Sequence, residues 1–122
     1  LVSLVAASAR AHHAFSAEFD AKQPITLRGN VTKIAWTNPH VWIYLNVKDE
    51  TGKLTNWGFE MGAPQQVQNQ GWGRNTLKAG DELIVVGSRA RDGSFRMNAR
   101  NVTWAATGIK LGAASSEPTP AP

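Results

Sequence analysis

Cysteine is absent from this 122-residue chain. That excludes a disulfide framework and every thiolate metal site, so packing and hydrogen bonds must hold the fold, and any metal must be bound through nitrogen and oxygen. No apolar run reaches the roughly 20 residues that a spanning helix requires, which excludes a helical membrane span from this sequence. Histidine is scarce, with three residues in all: His12, His13 and His40. Neither sign of charge dominates strongly, since 13 Lys and Arg face 9 Asp and Glu for a formal charge of +4. Four cations, Arg89, Arg91, Arg96 and Arg100, bracket one predicted hairpin. They read either as an anion or nucleic-acid patch or as a solvated polar face partly offset by Asp81 and Asp92. The solvated face is the favoured reading, and nucleic acid is not the expected partner.

What is present is an ordinary globular composition, 42% hydrophobic and 18% charged. It fits one domain of about 100 residues with a single core and little room for a large buried active site. The chain is organised around Asn38-Pro39-His40-Val41-Trp42-Ile43-Tyr44-Leu45-Asn46-Val47. Val41, Ile43, Leu45 and Val47 alternate with Trp42, Tyr44, Asn46 and Lys48, the period-two pattern of a half-buried strand. His40 stands at the mouth of that strand.

Residues 1–11 are apolar and then rich in small residues, ending in Ala9-Arg10-Ala11, the pattern of a signal peptide remnant with a cleavage site. Export to the periplasm or the exterior follows. Cleavage after Ala11 would make His12 the mature N-terminus. Residues 12–111 form the expected domain, and 112–122 read as a disordered Pro- and Ser-rich tail.

Within the domain, Ala14 to Gln23 reads as an arm docking Phe15 and Phe19. Strands are expected over Ile25–Trp36, with Gly29 as a bulge or bend, then His40–Lys48 and Lys53–Met61. A short helix follows from Pro64, where proline suits the first turn, and then strands over Glu82–Ala90 and Phe95–Trp104. Glycines in Asp49-Glu50-Thr51-Gly52 and Arg91-Asp92-Gly93-Ser94 mark hairpin turns. Three strands, a helix and two strands predict an all-β fold, a small five-stranded OB-like barrel with its helix between strands 3 and 4.

Several segments together carry a resemblance: Ala11-His12-His13-Ala14-Phe15, Glu18-Phe19-Asp20, Gly29-Asn30-Val31, Trp36 through Trp42, Trp57-Gly58-Phe59-Glu60 and Leu77-Lys78-Ala79-Gly80-Asp81. The chain resembles a family of small exported bacterial proteins known as a domain of unknown function, over about His12 to Trp104. The resemblance implies export and a small β-fold and supplies no activity.

The histidines are the strongest chemical constellation. Imidazole donors without thiolate suit copper in particular, and a freed α-amine on His12 would add a further nitrogen. His12, His13 and His40 are therefore the expected ligands of a transition metal, with Glu18, Asp20 or Glu60 available to orient an imidazole from behind. The opposing reading makes the His12-His13 pair a solvated end and His40 a backbone-bonded turn residue. Trp42 and Tyr44 leave the core face of their strand and could stack a small saccharide. No nucleophile elbow or oriented base is evident, so the expected role is binding or carriage and not turnover. A third reading makes the chain a structural subunit, a homo-oligomer or part of an extracellular assembly joined through its terminal segments.

Overall fold

The computed structural model describes residues 14–118. The expected leader, His12, His13 and the last four residues lie outside that range. Six strands form one sheet: β1 (Phe19–Ala35), β2 (Trp42–Lys48), β3 (Leu54–Glu60), β4 (Glu82–Ala90), β5 (Arg96–Trp104) and β6 (Lys110–Gly112). Two short helices accompany them, α1 over 14–18 and α2 (Pro64–Asn69). The all-β class and the helix between the third and fourth strands are as the sequence leads one to expect, but the sheet has six strands and not five, because Lys110–Gly112 adds β6 antiparallel to β5.

The 17-residue β1 joins the two parts of the sheet. It pairs antiparallel with β2 from Gly29 to Ala35 and with β4 from Phe19 to Asn30. Antiparallel pairs β2–β3, β4–β5 and β5–β6 extend the sheet, and a short parallel pairing places Gly58, Phe59 and Glu60 of β3 beside Arg96, Met97 and Asn98 of β5. The pairings β3-β2-β1-β4-β5 thus return to β3.

The alternation in β2 determines what lies inside. Val41, Ile43 and Leu45 are fully buried with Phe59, Leu83, Val85, Met97 and Val102, while Trp42 and Tyr44 face outward and are half-buried. Burying each such aliphatic side chain contributes roughly 1.5–3 kcal/mol. On the outer face, Phe15 and Phe19 (ring centroids 5.9 Å apart) make a second small cluster with Ala90 and Trp42. Arg91 clamps this arm: its Nε donates to the Ser16 carbonyl at 3.0 Å and its Nη2 to the Phe19 carbonyl at 3.2 Å. The arm docks its two phenylalanines as expected.

Three further expectations are corrected. Strand β1 starts at Phe19, before Pro24, and absorbs the proline with a register irregularity between residues 19 and 24. The bulge falls between Val31 and Lys33 and not at Gly29. Gly29 is required for another reason, because a Cβ there would strike the Asn46 carbonyl of the paired strand. Finally, the stretch after Gly112, expected as a disordered tail, packs against the sheet as far as Glu117. After β6, Ala113 is completely buried, its N–H donates to the Arg100 carbonyl (3.0 Å) and its carbonyl accepts from Gly62 (2.9 Å). Short side chains at Ala113, Ala114, Ser115 and Ser116 allow this strap to lie flat, and Glu117 ties it down through Arg100 at 2.8 Å.

The β2–β3 turn provides one stability prediction. Gly52 takes φ +85°, and Asp49 accepts from the Thr51 hydroxyl (2.6 Å) and from the Thr51 and Lys53 N–H groups (2.9 and 3.0 Å). The Thr51 hydroxyl, followed by those backbone donors, holds the Asp49 carboxyl below its ordinary value of 3.8. A depressed carboxyl stabilises the fold above its unfolded-state value, and this contribution fades as pH falls through the lower folded value. Asp49→Ala is therefore expected to lower the urea midpoint at pH 7, with the gap from wild type closing as pH drops below about 4. A gap that stays constant into acid would show that the charge contributes nothing.

Candidate functional site

Strand register assembles the site. Trp42, the first residue of β2, pairs with Glu60, the last residue of β3, and Glu60 pairs in turn with Asn98 of β5. Residues two apart on extended chain share a face, so His40 arrives on the side of Trp42 and Glu60. Val41 continues the ladder beyond the strand, its N–H donating to the Gly62 carbonyl and its carbonyl accepting from Met61. The peptide bond between Asn38 and Pro39 is cis, and Thr37 Oγ1 donates to the His40 carbonyl at 3.2 Å.

His40 Nδ1 lies 2.9 Å from Glu60 Oε2. The glutamate side chain is 8% exposed and the histidine 35%, so the pair has a buried end and an open end. A carboxylate can only accept, which places the proton on Nδ1 and leaves the Nε2 lone pair of the neutral ring as its acceptor. Behind Glu60 the chain continues inward: Asn98 Nδ2 donates to Glu60 Oε1 at 3.0 Å, and Asn98 Oδ1 accepts from Ser115 Oγ at 2.5 Å. Both oxygens of a buried carboxylate are thereby engaged, as its burial requires.

The open end of His40 faces a cleft of about 550 Å³. Its walls include Ala14, Phe15 and Glu18 of the arm, Trp42 of β2, Arg96 of β5 and Ser116 of the strap. Glu18 is exposed and stands 3.9 Å from Arg96. Asp20 does not join this group. Its carboxylate accepts from the Lys22 N–H and the Gln23 amide, both at 3.0 Å, and these bonds hold it below the ordinary aspartate range, helped by Arg91 at 3.8 Å. Of the three carboxylates expected to orient an imidazole, Glu60 bonds one, Glu18 shares the cleft and Asp20 serves a turn.

His12 and His13 lie outside the described residues, so the expected trio is represented here by His40. Among the described residues no three His, Cys, Asp or Glu side chains are grouped to hold a metal ion. Sequence reasoning missed Asn98, Ser115 and Ser116, which carry no periodic or motif signal. The pairing of Asn98 with Glu60 across a parallel strand contact is a purely non-local fact.

The four arginines of the predicted patch are each engaged. Arg89 lies 5.2 Å from the Trp57 ring centroid, Arg91 clamps the arm, Arg96 faces Asp92 (3.5 Å) and Glu18, and Arg100 holds Glu117 and Ser88. Asp92 faces Arg96 as expected, whereas Asp81 accepts from the Lys78 N–H and the Trp104 indole instead of offsetting these arginines.

The sequence arranged in this way matches a family model, described as a family of unknown function (DUF6152), over residues 1–99. The chain belongs to this family. The DUF6152 match takes in β1 to β4, α2 and the first part of β5, and with them His40, Glu60 and Asn98. No curated protein matches the chain. Membership in DUF6152 assigns no reaction, so function has to be argued from the site. Among the described residues no helix is long and apolar enough to cross a membrane.

Proposed function

We propose that this DUF6152 chain is an exported, OB-like β-barrel protein that binds a transition metal, copper foremost, through His40 together with His12 and His13. The barrel reading is supported by the closed circuit of pairings from β3 through β2, β1, β4 and β5 back to β3, with α2 in the β3–β4 connection. The observation that carries the metal reading is the His40–Glu60 bond of 2.9 Å. Metal-binding histidines almost always donate their other ring N–H to a carboxylate or carbonyl, which fixes the tautomer and raises ligand basicity. Glu60 does this for His40 and is itself fixed by Asn98.

The described residues supply one imidazole of the proposed donor set. One imidazole with an available Nε2 faces an open cleft, and Ala14, the residue after His13 in sequence, lines that same cleft. Divalent copper stands highest among the first-row metals for nitrogen sites, and no thiolate competes in this sequence. Bound metal would be held by imidazole and, in a chain beginning at His12, by the α-amine. The reading is of binding or carriage in the periplasm or outside the cell.

Replacing His40 by alanine is expected to weaken Cu(II) binding at least about 100-fold, since one ligand and its carboxylate support are lost together. Calorimetric titration of metal-free wild type and variant measures this. Because the ring is one-third exposed, circular dichroism should show the fold retained. Equal affinities would remove His40 from the site.

A further inference from the structure

Strand register on the outer face places four residues in one transverse row: Lys33 of β1, Tyr44 of β2, Gly58 of β3 and Arg96 of β5. Three interstrand spacings make this row about 14 Å wide. The missing side chain at Gly58 is its lowest point. A Cβ there would lie 3.2 Å from the Tyr44 ring and 3.5 Å from the Trp42 ring, so both aromatics lean over the glycine. Phe95 closes the other side, more than half exposed yet held edge-on against Trp57 with ring centroids 5.3 Å apart. The result is a cleft of about 320 Å³ walled by three aromatic rings, with Arg96 at its end. Lys33 holds its ammonium 5.6 Å from the Tyr44 ring centroid, and among the described residues it has no salt-bridge partner.

We infer that this shelf is a binding site for an acidic oligosaccharide, one sugar ring stacked on Trp42 and Tyr44 above Gly58 and its carboxylates met by Arg96 and Lys33. Amphipathic rings beside a few placed polar groups are the usual composition of a small-ligand site. The charge at both ends of the row selects an acidic ligand. Arg96 Nε donates to Ser94 Oγ at 3.1 Å, while its terminal nitrogens make only long contacts, 3.5 Å to Asp92 and 3.9 Å to Glu18, that an incoming carboxylate can displace. A nucleic-acid strand would need a continuous cationic track, whereas Arg89, Arg91 and Arg100 are committed elsewhere. The inference stands apart from the metal reading, although Trp42 and Arg96 border both clefts.

The test uses the full chain freed of metal with a chelator, so that failure of the copper site leaves it unaffected. Amide and indole N–H shifts are followed by NMR during titration with trigalacturonate, with neutral cellotriose and with an eight-residue oligothymidylate. Binding of trigalacturonate is expected to shift the Trp42 indole and the Gly58 amide. Tyr44→Ala should weaken it about tenfold, the scale of one lost stacking contact. Lys33→Gln combined with Arg96→Gln should abolish the preference over cellotriose while leaving the spectrum otherwise folded. Equal binding of acidic and neutral sugars by wild type would overturn the assignment, as would tighter binding of the oligonucleotide, undiminished binding by Tyr44→Ala, or shifts confined to other surfaces.

Discussion

Glu60→Ala is expected to damage both stability and the proposed metal site. Removing the carboxylate leaves Asn98 Nδ2 without the acceptor it has at 3.0 Å and His40 Nδ1 without the one at 2.9 Å. Asn98 is almost wholly buried and keeps only its longer bond to Ser116 Oγ at 3.3 Å, so the N–H that loses Glu60 has little water to turn to. Buried donors stripped of a partner cost about 1–3 kcal/mol each, and the more exposed His40 suffers less, so a loss of roughly 2–4 kcal/mol is expected. Copper affinity should fall about 10- to 100-fold, the usual effect of deleting the carboxylate behind a ligating histidine. Glu60→Gln separates the two effects. Its carbonyl oxygen can still accept from His40, but its amide must then face the Asn98 amide, whose oxygen is held by Ser115. That variant should recover much of the metal affinity and only part of the stability. Urea unfolding paired with copper titration of both variants would decide the matter, and wild-type behaviour in Glu60→Ala would mean that the His40–Glu60 bond is incidental.

Gly87→Ala is expected to be the most damaging single-methyl change in the protein. Gly87 follows the register irregularity in β4, opposite Ala99 of β5. An added Cβ would land on the Asn98 carbonyl oxygen, with the Met97 methyl at 2.8 Å and the Asn98 carbonyl carbon at 2.9 Å. The obstacle is backbone and cannot rotate away, so β4 and β5 must separate. A cost of about 3 kcal/mol or more is expected, at the upper end for overpacking. Gly93→Ala is the control: its φ is +78° and nothing lies near the added methyl, leaving only the left-handed backbone penalty of about 1–2 kcal/mol. Because Asn98 also anchors Glu60, Gly87→Ala should weaken copper binding as well. Equal urea midpoints for the two variants would show that the sheet yields more readily than this geometry allows.

How much of this could be read from the sequence depended on the range of the determining contacts. The two faces of β2, the helix begun by Pro64 and the turns with Gly52 and Gly93 at positive φ are set by residues within a few positions of one another. They were legible for that reason. The strap beyond Gly112 was not, because its stability comes from Asn98, Arg100 and Gly62, and a run of alanine, serine and proline offers no pattern of its own. Pro24 resembles a strand boundary in sequence, yet it lies within β1 opposite Ser88. In the site, His40 and Glu60 stood out as rare or charged side chains. Asn98 reaches them only through the parallel β3–β5 register, which joins residues 38 apart.

Ser115 and Ser116 both bond Asn98, at 2.5 and 3.3 Å, and Ser116 lines the cleft in front of His40. The chain end thus holds Asn98 and, with the arm, lines the cleft in front of His40.

Electron paramagnetic resonance of the metal-free protein in a form beginning at His12, given one equivalent of Cu(II), is the decisive test of copper binding through the three histidines. A single copper species with hyperfine structure from several nitrogens is expected, part of which disappears in His40→Ala. A spectrum of weakly held or heterogeneous copper, or one identical in wild type and His40→Ala, would contradict it.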